Sequence, residues 1–168
     1  MMSDESQDVR EVIEALAKSP DEAARLLRNL SGQAAKTRHS PDEFSALENI
    51  CHLRDIEAEG YTVRVNKILT ENKPVLPDID GGQLAIDRAY NNQTVDDALE
   101  AFALARRQNI AILMHLNEEQ LKRTGFMIGV GEITLQKLLV MMRDHDEGHL
   151  EDLRRIREQM LKNTFSEA

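Results

Sequence analysis

The stretch Leu138–Met160 constrains this chain most. Leu138, Met142, His145, His149, Leu153, Ile156 and Met160 recur at the three-to-four spacing of one helix face. Two histidines therefore stand on the stripe that an amphipathic helix turns toward its core. At i and i+4 their imidazoles lie one turn apart on the same side, which suits two ligands of one divalent cation. A single histidine in such a place is more often a hydrogen-bonded core residue, and two ligands do not close a site. Metal binding demands a third ligand from another element.

The same periodicity recurs along the rest of the chain. Residues 1–6 are polar and expected to fray. Val9, Val12, Ile13 and Leu16 begin a helix, and Ala23, Ala24, Leu26, Leu27 and Leu30 continue the pattern. Between them Ser19, Pro20 and Glu22 have the form of an N-cap, a first-turn proline and a capping box, which predicts two pieces or one kinked piece. Ser31-Gly32 ends this helix, and residues 33–39 read as a polar connection. Ser40-Pro41-Asp42-Glu43 repeats the capping signature and predicts a long second helix from there to Glu71. Pro74, Pro77 and Asp80-Gly81-Gly82 mark a loop, followed by a short helix over Leu84–Tyr90. Thr94 and Asp97 cap a third helix carried by Ala98, Phe102, Ala105, Ile112 and Leu116, and Asn117 caps a short turn reaching Arg123. Residues 125–131 read as a glycine-rich loop without the strand and helix context of a phosphate-binding fingerprint, so no nucleotide role is assigned. The last helix starts within residues 132–134 and spans on the order of 45 Å. Four main helices with short or moderate connections predict an all-α four-helix bundle. The 168 residues are expected to form a single domain, 1–168, without internal repeat.

Composition narrows the function. A net charge of -9 argues against nucleic acid, and the densest basic cluster, Arg154, Arg155 and Arg157, is interleaved with Glu151, Asp152 and Glu158. No window approaches the ~18 apolar residues of a membrane span. One cysteine, Cys51, allows no internal disulfide, and no apolar segment follows the N-terminal Met-Met-Ser-Asp-Glu, so a cytoplasmic location is expected.

Helix two offers the third ligand. At about 100° per residue, Ser45, Glu48, Asn49, Asp55, Ile56, Glu59, Val63 and Asn66 fall near His52, while Phe44, Leu47, Cys51, Ala58 and Leu69 form a separate apolar stripe. That polar face is either solvated, with His52 an ordinary surface residue, or it looks into a cavity where His52 meets His145 and His149. In the second case Glu48 and Asp55 stand one turn either side, placed to accept an imidazole N–H or to bind a substrate. His39, in a loop, and His115, at a helix end, are weaker candidates. Cys51 falls on the apolar stripe, where a buried, inert thiol is expected rather than a nucleophile. A di-iron centre would need a Glu-x-x-His on each of two helices, and only Asp146-x-x-His149 is present.

The segment Leu47-Glu48-Asn49-Ile50-Cys51-His52-Leu53-Arg54-Asp55-Ile56-Glu57 resembles the second-helix motif of the DinB-like superfamily, a glutamate four residues ahead of a His-Leu-x-Asp element. Phe102 to Leu116 with Arg106, then Glu132-Ile133-Thr134-Leu135 leading to His145-Asp146-Glu147-Gly148-His149-Leu150, resembles the rest in the same order, so that the likeness runs from about Ser40 to Met160. Phe44 stands where relatives commonly have tryptophan, and the loop from Lys73 to Gln83 lacks the aromatic residues many of them place there. The resemblance implies a DinB/YfiT-like four-helix bundle in up-down-down-up order, a metal site of His52, His145 and His149, and a homodimer. Relatives of known activity are mostly metal-dependent transferases or isomerases using low-molecular-weight thiols.

Three neutral imidazoles leave a divalent cation its full charge and an open position, as in catalytic sites. Zinc and nickel both suit three nitrogens. A thiol bound there is deprotonated, and a bound water has its pKa lowered toward roughly 7. The first chemistry predicts a transferase acting on a small molecule with a low-molecular-weight thiol, the second a hydrolase. A third alternative is a non-catalytic metal-binding protein acting through dimer or partner contacts. Glu48, Asp55 or Asp152 is expected to orient imidazoles or act as base, and Arg106 to bind a carboxylate of thiol or substrate. Because imidazole must be neutral to bind, metal affinity is expected to fall as pH drops through about 6.5.

Overall fold

The computed structural model describes residues 5–166; the polar start expected to fray lies partly outside them, in residues 1–4. Four long helical elements make the bundle: α1 (Glu5–Leu27); a second built from α3 (Ala46–Asp55), a π-helical segment (Ile56–Tyr61) and α4 (Thr62–Thr70); α6 (Val95–Leu113); and α8 (Leu135–Ser166). Between them lie the short helices α2 (Gly32–Lys36), α5 (Gly81–Asp87) and α7 (Glu118–Leu121). The outer helix α1 packs on α6 and α8, and α3 packs on the same two. This is the up-down-down-up bundle expected from the sequence.

Helix α1 does not break at Pro20. Ser19 is not a cap: its Oγ donates back to Ala15 O at 3.2 Å. A proline inside a helix orphans the carbonyl four residues earlier, here Leu16 O. That carbonyl instead accepts from Arg106 Nη1 at 2.7 Å, so the helix continues because another element supplies the missing donor. The connection expected over 33–39 contains α2, capped by Ser31, whose Oγ accepts from Ala34 N. Helix two starts five residues later than the Ser40-Pro41 signature predicts. Ser45 is its N-cap, with Glu48 completing a capping box. The expected short helix over Leu84–Tyr90 lies earlier, at Gly81–Asp87, because Asp80 caps it. Thr94 and Asn117 cap α6 and α7 as their sequences indicate.

The π-helical segment alters which residues face inward. Wider turns shift the faces that follow, so Glu57, Gly60, Tyr61, Arg64, Val65 and Ile68 are buried while Ala58 and Val63 are exposed. The single apolar stripe expected through Ala58 and Leu69 therefore ends at this segment. Residues 125–131 are also not a loop. Within them, residues 128–130 are the turn of a hairpin in a small sheet in which β1 (Val75–Leu76) pairs parallel with β2 (Thr124–Met127), and β2 pairs antiparallel with β3 (Gly131–Thr134). Gly129 and Gly131, at φ 80° and 107°, supply backbone that the hairpin turn needs and that side-chain-bearing residues rarely adopt.

Two apolar clusters flank the middle of the bundle. One gathers Leu47, Ile50, Leu53, Tyr90, Phe102 and Leu153; the other gathers Leu16, Val65, Ile68, Leu113, Leu138 and Met142. Between them in sequence and space lies a layer of buried polar groups, including His52, Asp55, Glu57, Arg106, Asn109 and Asp146. Among the described residues no helix is long and apolar enough to cross a membrane.

Candidate metal centre

His52 comes from α3 and His145 and His149 from α8, and one ligand atom from each lies within 4.8 Å of the other two. His52 is 8% exposed and the other two are partly buried. The alternative in which His52 is an ordinary surface residue is thereby removed. Nε2 of His52 and Nε2 of His145 face each other at 3.0 Å. Two nitrogens sharing one ion at about 2.0–2.1 Å stand roughly 3 Å apart, so the spacing fits a common cation. Nδ1 of both rings is buried without a hydrogen-bond partner.

His149 is oriented by a neighbour that sequence reasoning placed on the right face without giving it a role. Asn49 Nδ2 donates to Ser45 O at 3.0 Å, which turns Oδ1 toward His149 Nδ1 at 2.7 Å. An amide oxygen only accepts, so Nδ1 carries the proton and Nε2 keeps its lone pair for the cluster. Gly81, at the start of α5, lies against the His52 ring. A Cβ there would be 2.3 Å from His52 Cε1, so only glycine lets the loop approach this closely. Phe44 and Tyr61 complete the walls, with ring centres 5.5 Å from His52 and 5.7 Å from His145 respectively.

Burial, reinforced by the neighbouring imidazoles, holds His52 near a pKa of about 3. Burial, with His149 and the positive charges of Arg106 and Arg64, does the same for His145, also to about 3. His149 is lowered by burial. His52 and His145 thus stay neutral well below pH 6.5, and His149 shifts in the same direction, which moves the expected loss of metal to lower pH than unperturbed histidines imply.

The three expected catalytic candidates are occupied by other groups. Glu48 accepts from Arg38 Nε at 2.7 Å and from the Ser45 backbone N–H at 2.8 Å, so it caps α3 instead of holding an imidazole. Burial raises its pKa, but these donors outweigh it and leave the carboxyl below its usual range. Asp55 accepts from Arg54, Arg88 and Tyr90 at 2.7–2.8 Å. Its pKa is likewise lowered despite burial. Arg106 is 1% exposed and donates to both oxygens of Asp146, to Glu57 Oε2 and to Leu16 O. It is a structural cation joining four elements, not a free clamp for a substrate carboxylate. Asp152 pairs with Arg155 at 2.8 Å. His39 and His115 are exposed and outside the cluster. Cys51 is fully buried, its thiol pushed by burial up to about 11, as its place on the apolar stripe suggests.

Comparison with known proteins agrees with the fold. The family model for the DinB superfamily matches residues 15–153, and the chain belongs to that family. Among solved structures, YfiT from Bacillus subtilis, described as a probable metal-dependent hydrolase with an unusual four-helix bundle topology, is similar with a TM-score of 0.86. The two are 18% identical, and the match covers 95% of this chain and 91% of that one. No curated protein matches.

Proposed function

We propose that this DinB-superfamily member is a divalent-metal-dependent transferase that activates a low-molecular-weight thiol, with His52, His145 and His149 as the metal ligands. The carrying observation is the convergence of three neutral imidazoles, two from one helix and one from another, with no protein carboxylate among them. A zinc or nickel ion held there supplies a Lewis acid that lowers the pKa of whatever thiol or water binds beside it. Asn49 fixes the proton on His149 Nδ1. Gly81 admits the loop that covers His52, and Phe44 and Tyr61 limit water around the imidazoles.

The second reading is a hydrolase, which the description of YfiT favours. Hydrolysis draws on a group that takes a proton from the attacking water. The nearby buried carboxylates Glu48, Asp55, Glu57 and Asp146 are all bound to arginines. Coordination deprotonates a thiol outright, whereas a metal-bound water with a pKa of roughly 7 is only partly hydroxide at neutral pH, and this favours transfer. We further propose action on a small molecule in the cytoplasm by a homodimer; sedimentation at a mass of one chain would refute the last point. A non-catalytic metal-binding protein is the remaining alternative.

Elemental analysis beside a His52→Ala, His145→Ala, His149→Ala series tests the site. The expected result is about one zinc or nickel per chain, lost in each variant. Wild-type protein should then couple a small thiol to an electrophile. Ester cleavage without thiol transfer would favour the hydrolase, and failure to take up metal would sink both enzymes.

A further inference from the structure

We infer that Arg64 is the anion receptor of this pocket, binding a carboxylate of the molecule that meets the three histidines. The inference rests on the proposed metal site and assigns a substrate class to it. Arg64 lies in α4 just beyond the π-helical segment and is 8% exposed. Its Nε donates to Pro77 O at 3.0 Å, and its guanidinium carbon stands 5.2 Å from the centre of the Tyr61 ring. Tyr61 meets His145 edge-on. One aromatic ring thus separates the guanidinium from the histidine cluster.

No acceptor among the described residues takes the terminal N–H groups of Arg64. The contrast with Arg106, which has two carboxylates and a carbonyl, is informative. Arg64 has no carboxylate partner among the described residues, its terminal nitrogens are not sealed from solvent, and the nearby acids are committed. Glu57 and Asp146 belong to Arg106, and Asp55 to Arg54, Arg88 and Tyr90. Pro77 O holds the Nε edge and leaves the two terminal nitrogens, the pair that grips a carboxylate at two points. The Pro77–Gly81 segment that anchors Arg64 also brings Gly81 against His52, so one loop touches both the guanidinium and the histidine cluster. The ligand that fits carries a metal-binding group at one end and a carboxylate a short distance along. That carboxylate belongs either to the thiol or to its electrophilic partner.

The test uses nitrogen-15-labelled full chain, zinc-loaded and EDTA-treated, with the Arg64 Nε–H resonance identified by its loss in Arg64→Gln. Three probes are titrated: 3-mercaptopropionate, its amide, and propionate. We expect the carboxylate-bearing thiol to move the Arg64 resonance and the amide to leave it still. Arg64→Gln should weaken 3-mercaptopropionate about 10- to 100-fold while changing the amide less than about twofold, with Arg64→Lys recovering part of the loss. A shift with 3-mercaptopropionate alone assigns the carboxylate to the thiol; equal shifts with propionate assign it to the second substrate. An unmoved Arg64 resonance, or equal affinity for acid and amide, overturns the inference. Zinc uptake in the same samples reports separately on the histidines, and a shifted resonance without zinc uptake would keep the anion site and remove the metal.

Discussion

Asn49 decides which nitrogen of His149 is free, and it does so through its own amide. Because Nδ2 is held by Ser45 O, Oδ1 has one orientation and His149 one tautomer. Asn49→Ala should therefore lower zinc affinity about 10- to 100-fold without loss of the ligands themselves. Competition with a chromophoric chelator measures this; unchanged affinity with unchanged helicity would remove Asn49 from the site. At this scale the three histidines were legible because helical spacing alone puts His145 and His149 on one side and His52 on a polar face. Their helpers were not. Glu48 and Asp55 share the face of His52, but side chains of that length reach Arg38, Arg54, Arg88 and Tyr90, which come from segments whose approach no local pattern encodes. The shorter Asn49 is left facing the imidazole.

The same limit appears among the elements. Caps such as Thr94 and Asn117 are local devices and were readable, as was the long final helix. Pro20 was misleading because the donor that replaces its missing N–H lies on α6, ninety residues away in sequence from Leu16. Arg106 thereby ties α1, the π-helical segment and α8 to its own helix, through Leu16 O, Glu57 and Asp146. Both carboxylates are buried to within a few per cent, so removing the cation leaves them uncompensated. Arg106→Leu should cost about 3–5 kcal/mol of stability, read from urea denaturation of metal-free protein. A triple variant that adds Glu57→Gln and Asp146→Asn to Arg106→Leu should recover part of that loss, since it removes the stranded charges. A loss below about 1 kcal/mol in Arg106→Leu would show that water reaches this layer and the network is not sealed.

Across the whole molecule, the bundle was legible from four amphipathic segments and their order, whereas the small sheet was not, because strands of two to four residues leave too little alternation to read. What the assembled fold adds is a directional response to acid. His52 and His145 have folded pKa values of about 3 against about 6.5 when unfolded. Between those values the unfolded chain binds more protons than the folded one, so stability rises with pH. Their contribution is complete above pH 6.5 and declines as the medium is acidified toward 3. Glu48 and Asp55, also lowered on folding, act in the same direction at more acid pH, losing their contribution as pH falls through the carboxylate range. For metal-free protein the expected loss at pH 5 is on the order of 2 kcal/mol per histidine. Urea denaturation from pH 7.5 to 4 measures it. A variant with glutamine at positions 52, 145 and 149 should be nearly flat from pH 7.5 to 5 and decline only below that, where the carboxylates remain. If wild type and variant fall in parallel between pH 6.5 and 5, the imidazoles are not kept neutral by burial, and the folded site would take up protons in competition with metal.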